Sequence, residues 1–345
     1  MITIGIIGCG YWGPNLIRNY NQLPNCKVLM CCDLDEKKRN RMKTLYPGIL
    51  TTNDVNELIG NPEIDAVGIA TPVFTHYDLA KQALLNNKHV FVEKPLCHSS
   101  EACVDLIRLA EEKHRVLMVG HTFEYTAAVN KIKEIVNNGE LGEILYISSA
   151  RLNLGLFQPD INVVWDLAPH DVSIITYILG QHPIAVNGHG KGHYRKDIED
   201  VATLSLDFPN GTIAFVHTSW LDPNKVRRTT IVGSKKMLVY DDTEPQEKIK
   251  IYDKGVDAPP YYDTFGEFAF SYRYGDIHSP RIEDYEPLRE ECAHFLECIE
   301  KSLTPRSDGY SGLRVVSVLE AANESLKNEG KAIAIKYTDV LSRAA

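Results

Sequence analysis

The run Gly8-Cys9-Gly10-Tyr11-Trp12-Gly13 stands directly after an apolar strand pattern at residues 3–7 and opens a helical pattern at 12–22. No other stretch narrows the possible folds as much. The first glycine permits a tight turn, the second lets backbone N–H groups approach a pyrophosphate, and the third lets helix and strand pack closely. A helix N-terminus adds partial positive charge where such an anion would sit. Pro14 suits the first helical turn, where its missing N–H costs little. Asp33 follows about twenty residues beyond Gly13, at the end of the second strand pattern. Its carboxylate is placed to accept hydrogen bonds from an adenosine ribose, and its charge opposes a 2′-phosphate. The expected cofactor is therefore NAD, with Lys37, Lys38 and Arg39 leaving NADP open.

The same grammar continues for about 120 residues. Strand patterns at 3–7, 27–32, 66–70, 89–92 and 116–119 alternate with helical patterns at 12–22, 35–46, 75–86 and 99–114. Near-continuous apolar strands with helical crossovers predict a parallel sheet covered on both faces. The fold class is α/β, an N-terminal doubly wound Rossmann sheet. After Gly120 the pattern changes. Helices are expected at 127–138 and 167–179, and a strand at 144–153. Short alternating strands then run between 184 and 252, with turn signals such as Pro209-Asn210-Gly211. These predict an α+β second domain with a large open antiparallel sheet. Residues 259–280, rich in Tyr and Phe, resist placement, and helices at 287–301 and 312–328 close the chain. The expected division is a dinucleotide-binding domain at 1–121 and a substrate-binding and oligomerisation domain at 122–345.

Composition removes several functions. The 345 residues carry a net charge of −9, so a polyphosphate backbone would be repelled and nucleic acid is not expected. No run is long and apolar enough for a membrane span, and no signal peptide is read at the start. The eight cysteines form no CxxC pair, which fits reduced core thiols and a cytoplasmic location. The twelve histidines are scattered and no HExxH occurs, so no metal site is expected. Gly188-His189-Gly190-Lys191-Gly192-His193 reads as a loop without carboxylates nearby.

Glu93-Lys94-Pro95 follows the strand pattern at 89–92. Ligands of doubly wound sheets meet the carboxyl ends of strands, so this tripeptide belongs at the crevice rim. Lys94 carries the charge that a nascent alkoxide needs. Together with the glycine run it resembles the Gfo/Idh/MocA family of oxidoreductases. Ile69-Ala70-Thr71-Pro72 with His76, Gly139-Glu140-Leu141-Gly142, Asp308-Gly309 and Leu319-Glu320-Ala321-Ala322 carry the resemblance along essentially the whole chain. It implies cofactor contacts from Gly8, Gly10, Tyr11, Trp12, Gly13, Asp33, Thr71, Pro72, His76, Glu93 and Lys94. It also implies a homodimer or homotetramer formed through the C-terminal sheet.

Trp165-Asp166-Leu167-Ala168-Pro169-His170-Asp171 resembles the family's third motif. Residues four apart on a helix come within roughly 5–6 Å at Cβ, so Asp166 can orient His170. Read alone, Asp166 serves equally as an N-cap. The resemblance makes Lys94, His170 and Asp166 the catalytic set. His170 is expected to take a proton from a sugar hydroxyl while Lys94 stabilises the resulting oxygen. An imidazole's ordinary pKa of about 6.5 suits that base. The whole expectation requires the ammonium and the imidazole to reach the same oxygen.

Further details resemble the family branch acting on nucleotide sugars: Gly10–Asn15 with its two aromatics, Gly120-His121-Thr122-Phe123, and Trp220–Lys225 followed by Arg227-Arg228. The expected substrate is a small-molecule nucleotide sugar such as UDP-N-acetylglucosamine or its uronic acid, altered at C3. Arg151, Asn153, His121, Lys225 and Arg227 are the candidate contacts, with Arg228 beside them. A free inositol, polyol or sugar dehydrogenase is the alternative. A non-catalytic sensor is a third reading, disfavoured because Lys94, Asp166 and His170 are all present.

Overall fold

Five strands with near-continuous apolar character call for cover on both faces, and nearly all of their residues are buried. The computed structural model describes residues 1–155, 157–158, 160–257 and 271–337. The chain divides into two compact units. Among the described residues the first comprises Met1–Tyr125, Glu286–Glu320 and Tyr337.

The first unit begins β1 (Ile2–Ile7), α1 (Gly13–Asn21), β2 (Cys26–Cys32), α2 (Glu36–Leu45), β3 (Leu50–Thr52), α3 (Val55–Ile59), β4 (Ala66–Ile69), α4 (His76–Leu85), β5 (His89–Glu93), α5 (Ser100–Glu112) and β6 (Leu117–Gly120). Its sheet has the order β3-β2-β1-β4-β5-β6, and every pairing is parallel. All residues of β4 and β6 are buried, which accounts for their unbroken apolar runs. The order reverses between β1 and β4, the switch point outside which ligands of such sheets bind. β3 and α3 were not expected, because a three-residue strand shows no measurable periodicity.

The second unit holds α6 (Ala127–Asn137), β7 (Ile144–Leu154), α7 (Val163–Leu179), β8 (Ala185–Lys191), β9 (Val201–Asp207), β10 (Ile213–Ser219), β11 (Leu221–Gly233), β12 (Met237–Asp241), β13 (Ile249–Asp257) and β14 (Ser271–His278). Its sheet runs β14-β13-β12-β11-β7-β10-β9-β8, with β15 (Ile333–Ala334) at the far edge. The pattern is antiparallel except for β7 and β10, which pair in parallel, so the sheet is mixed rather than purely antiparallel. Alternation sets its two faces: Ala214 and Val216 of β10 are buried while Ile213 and Phe215 are exposed. α7 packs on the buried face against β7, β9 and β10. Within residues 259–280, β14 is now placed, whereas 259–270 lie outside the described residues.

Two helices complete the described chain. α8 (Pro287–Lys301) belongs to the first unit, and α9 (Gly309–Lys327) is shared, with Ala321 onward in the second. α8 presents Leu288, Cys292, Phe295 and Leu296 to the same core as Ile4, Leu16 and Phe91. Phe295 meets Phe91 and Tyr20 edge-on, with ring centroids 5.8 and 6.5 Å apart. Arg18 of α1 and Glu286 close this contact with a two-pronged ion pair. The compact units are thus not two consecutive stretches of sequence.

Candidate active site

The glycine turn has the geometry its composition predicts. Gly8 adopts φ +92°, and a Cβ there would stand 2.4 Å from the Ala70 carbonyl oxygen. A Cβ on Gly13 would fall 1.8 Å from the Gly8 oxygen, so α1 packs onto the turn only without a side chain. Above Gly10, by contrast, a Cβ would meet nothing within 4 Å. That open space beside the first turn of α1 is what a pyrophosphate needs. Tyr11 and Trp12 flank it with exposed rings, packed edge to face at 5.3 Å.

Asp33 does more than face solvent. Its Oδ2 accepts the Cys9 N–H at 2.7 Å and its Oδ1 accepts the Asp35 N–H at 2.9 Å, tying the end of β2 to the glycine turn. A carboxylate has about four acceptor positions, so two remain for a diol. Lys38 Nζ lies 3.9 Å from Oδ2, while Arg39 is turned to the Asp33 and Leu34 carbonyls. Asp33→Asn keeps an acceptor for Cys9 and removes the charge. It is expected to shift the ratio of NAD to NADP affinity by about tenfold toward NADP, or about 1.4 kcal/mol. Titration of both dinucleotides by intrinsic fluorescence measures this, and an unchanged ratio would remove Asp33 as the selecting group.

The turns after β4 and β5 are joined by one buried ring. His76, 1% exposed, places Nε2 2.8 Å from the Thr71 carbonyl oxygen and Nδ1 2.9 Å from that of Pro95. Burial lowers its pKa, although both carbonyl contacts act in the opposite direction. Both ring nitrogens are thus engaged by backbone, so any cofactor contact from His76 would not come from a free ring nitrogen. It braces the segments that carry Thr71, Pro72 and Lys94. Thr71 itself shares a 2.7 Å hydroxyl contact with Thr75.

Glu93 ends β5 with its carboxyl buried, and that burial raises its pKa to about 7. Lys94 follows it in the next turn. His121, just past β6, is 1% exposed, and burial lowers its pKa to about 3. Such a ring is neutral and enclosed within the first unit. Sequence reasoning missed Glu291 of α8, which is fully buried and accepts a 2.7 Å hydrogen bond from the Thr122 hydroxyl. Its signal was an acid on the apolar face formed by Leu288, Cys292 and Phe295.

In the second unit, α7 begins at Val163, four residues before the expected start. Asn162 is its N-cap, accepting the Trp165 N–H at 3.1 Å, and Pro169 lies inside the helix. Asp166 is therefore not the cap. Its Oδ2 accepts the Trp220 indole N–H at 2.9 Å, and it shares a helix face with half-buried His170. Asp171 points to the core. It receives Ser149 Oγ at 2.7 Å and Arg151 Nε at 2.7 Å, with Arg151 4% exposed.

The expected cation cluster is accordingly reduced. Arg151 is neutralised by Asp171, and Arg227 donates to Asp242 at 3.3 Å. Arg151 and Arg227 are register partners, but a bulge between Leu221 and Val226 breaks the alternation that would align Lys225 with them. Lys225 and Arg228 are exposed, and Asn153 is half-buried near the end of β7. Gly188–Lys191 belong to β8 rather than to a loop, and His193 Nδ1 lies 2.9 Å from an Asp200 carboxylate. Among the described residues no group of three or more His, Cys, Asp or Glu could hold a metal ion. Among them, too, no helix is long and apolar enough to cross a membrane, and all eight cysteines are buried free thiols.

A parallel sheet with an anion-binding glycine turn at its switch point and an acid at the end of the second strand defines a Rossmann NAD(P)-dependent oxidoreductase. The comparisons agree. Residues 2–121 match the model of the oxidoreductase family with an NAD-binding Rossmann fold, and residues 129–239 match the GFO/IDH/MocA C-terminal domain. The chain belongs to the Gfo/Idh/MocA family. It is 28% identical over 258 residues to a UDP-N-acetylglucosamine 3-dehydrogenase of Acidithiobacillus ferrooxidans, covering 74% of this chain and 76% of that one. It is 25% identical over 343 residues to the scyllo-inositol 2-dehydrogenase (NAD(+)) of Bacillus subtilis, covering 95% and 94%. A solved structure of UDP-N-acetylglucosamine 3-dehydrogenase GnnA from Acidithiobacillus ferrooxidans shares the fold, with TM-score 0.79 and 24% identity over 95% of this chain and 98% of that one. The chain is thus an NAD(P)-dependent oxidoreductase of this family.

Proposed function

We propose that the enzyme oxidises a ring hydroxyl of a nucleotide sugar, or reduces the matching ketone. When bound, the nicotinamide accepts or supplies the hydride. Lys94 hydrogen-bonds the reacting oxygen and stabilises its negative charge. His170 holds the hydroxyl proton, and Asp166, fixed by Trp220, orients it. The observation that carries the substrate class is the similarity to the UDP-N-acetylglucosamine 3-dehydrogenase. Exposed Lys225 and Arg228 are the cations left for a diphosphate.

A second reading, a free inositol or sugar as substrate, is favoured by a different observation: Arg151 and Arg227 already face carboxylates. A panel of UDP-, dTDP- and GDP-sugars beside myo- and scyllo-inositol, followed by nicotinamide absorbance in both directions, separates the two. We expect kcat/KM for at least one UDP-sugar to exceed that for any free polyol by about 100-fold, or about 2.7 kcal/mol in transition-state binding. Preference for the free polyol would overturn the nucleotide-sugar reading. Exposed Tyr146, Ile213 and Phe215 on the open face of the second sheet support a homo-oligomer.

A further inference from the structure

Four buried polar atoms gather where β5 and β6 end, and none has a hydrogen-bond partner among the described residues: Glu93 Oε1, Glu291 Oε1 and both ring nitrogens of His121. Their side chains are 6%, 0% and 1% exposed. The register pairs Glu93 with Gly120, and a Cβ on Gly120 would stand 3.0 Å from Glu93 Oε2, so this carboxyl lies over Gly120. His121 is the next residue, and Thr122, the one after, donates to Glu291. One short segment therefore joins all three groups.

Buried polar atoms in native proteins are almost always satisfied, by protein or by ordered water. The groups acting on Glu291 are Glu93 and Glu124, both acidic, and the neutral Tyr20, Tyr125 and Cys292. The cation acting on Glu93 and His121 is Lys94. An ionised Glu291 would be a buried charge beside other acids, with no cation among the groups that act on it. Protonated, it gains an O–H to donate. The atoms then balance as two donors (the Glu291 O–H and one His121 N–H) and two acceptors (Glu93 Oε1 and the other His121 nitrogen). Water bridges such a set readily, since a buried water makes about three hydrogen bonds.

We propose that Glu93, His121 and Glu291 enclose an internal water site in which the two carboxyls share one proton, with Glu291 as the positioning residue that leaves Glu93 ionised beside Lys94. A protonated Glu291 adds no further negative charge beside Glu93 and Glu124. Burial raises the pKa of both carboxyls, that of Glu93 to about 7, so a second proton enters below that pH.

Infrared difference spectroscopy tests this on the full chain without turnover. At about pH 8 an ordinary glutamate is ionised. The wild type is expected to show a deuterium-sensitive carbonyl stretch of a protonated carboxyl at that pH, and Glu291→Gln to lack it. A second band should grow in as pH falls through about 7. No protonated carboxyl at about pH 8, or a band that survives Glu291→Gln, overturns the proposal. The kinetic arm rests on the proposed function: Glu291→Leu should lower kcat about tenfold with dinucleotide Kd unchanged, and Glu291→Gln should restore most of that loss. If Glu291→Leu does not fold, the glutamine variant and the infrared bands still decide. If no substrate turns over, the functional reading fails while the infrared result stands on its own.

Discussion

Lys94→Ala is expected to lower kcat by about 10²–10³-fold while dinucleotide Kd stays within about threefold of wild type. The reasoning starts from position. Lys94 follows the last residue of β5, on the edge of the sheet where strand carboxyl ends meet ligands. The neighbouring Thr71 and Pro95 carbonyls are braced by His76, so the turn is fixed before any substrate arrives. A preorganised ammonium is most effective where negative charge develops, which makes the loss one of kcat rather than of binding. Steady-state kinetics with the best substrate, paired with a fluorescence titration of the dinucleotide, reads the two parameters separately. A variant that keeps wild-type kcat would show that Lys94 does not touch the reacting oxygen.

The second large effect concerns stability. Asp171→Ala leaves the Arg151 guanidinium buried without its carboxylate, and removing one partner of such a pair costs about 3–5 kcal/mol. Ser149 Oγ loses its acceptor at the same time. The pair fastens α7 to β7, and α7 also carries Asp166 and His170, so activity should fall with stability. Replacing both residues by apolar ones of similar volume, Arg151→Met with Asp171→Leu, should recover most of the loss, because no unpaired charge remains. Urea unfolding of the wild type and these two variants measures this. A loss below about 1 kcal/mol for Asp171→Ala would mean that solvent reaches Arg151.

Much of the first unit could be read directly because its signals are local. The glycine turn, its flanking strand and helix, and Asp33 lie within a few dozen residues, and the steric reasons for Gly8 and Gly13 are reproduced by the structure. α7 began earlier than expected because Pro169 reads as a first-turn residue, whereas its helix accommodates it two turns in. The parallel pairing of β7 with β10 joins segments about 60 residues apart. Nothing in either strand announces its partner. Arg151 read as an available cation for the same reason: its carboxylate comes from a helix, and only packing brings them together. Glu291 and the bracing by His76 depend on contacts between segments that pattern alone does not connect.

The placement of α8 has a consequence for how this polypeptide can be made. Leu288, Cys292, Phe295 and Leu296 are the last apolar side chains to join a core begun by Ile4 and Leu16. A nascent chain emerging from the ribosome has therefore synthesised the whole of β7 to β14 before the piece that seals its opening strands is available. Until then the apolar face of α1 that α8 covers stays exposed, and a fragment ending near Tyr125 is expected to aggregate rather than to fold as an independent dinucleotide-binding module.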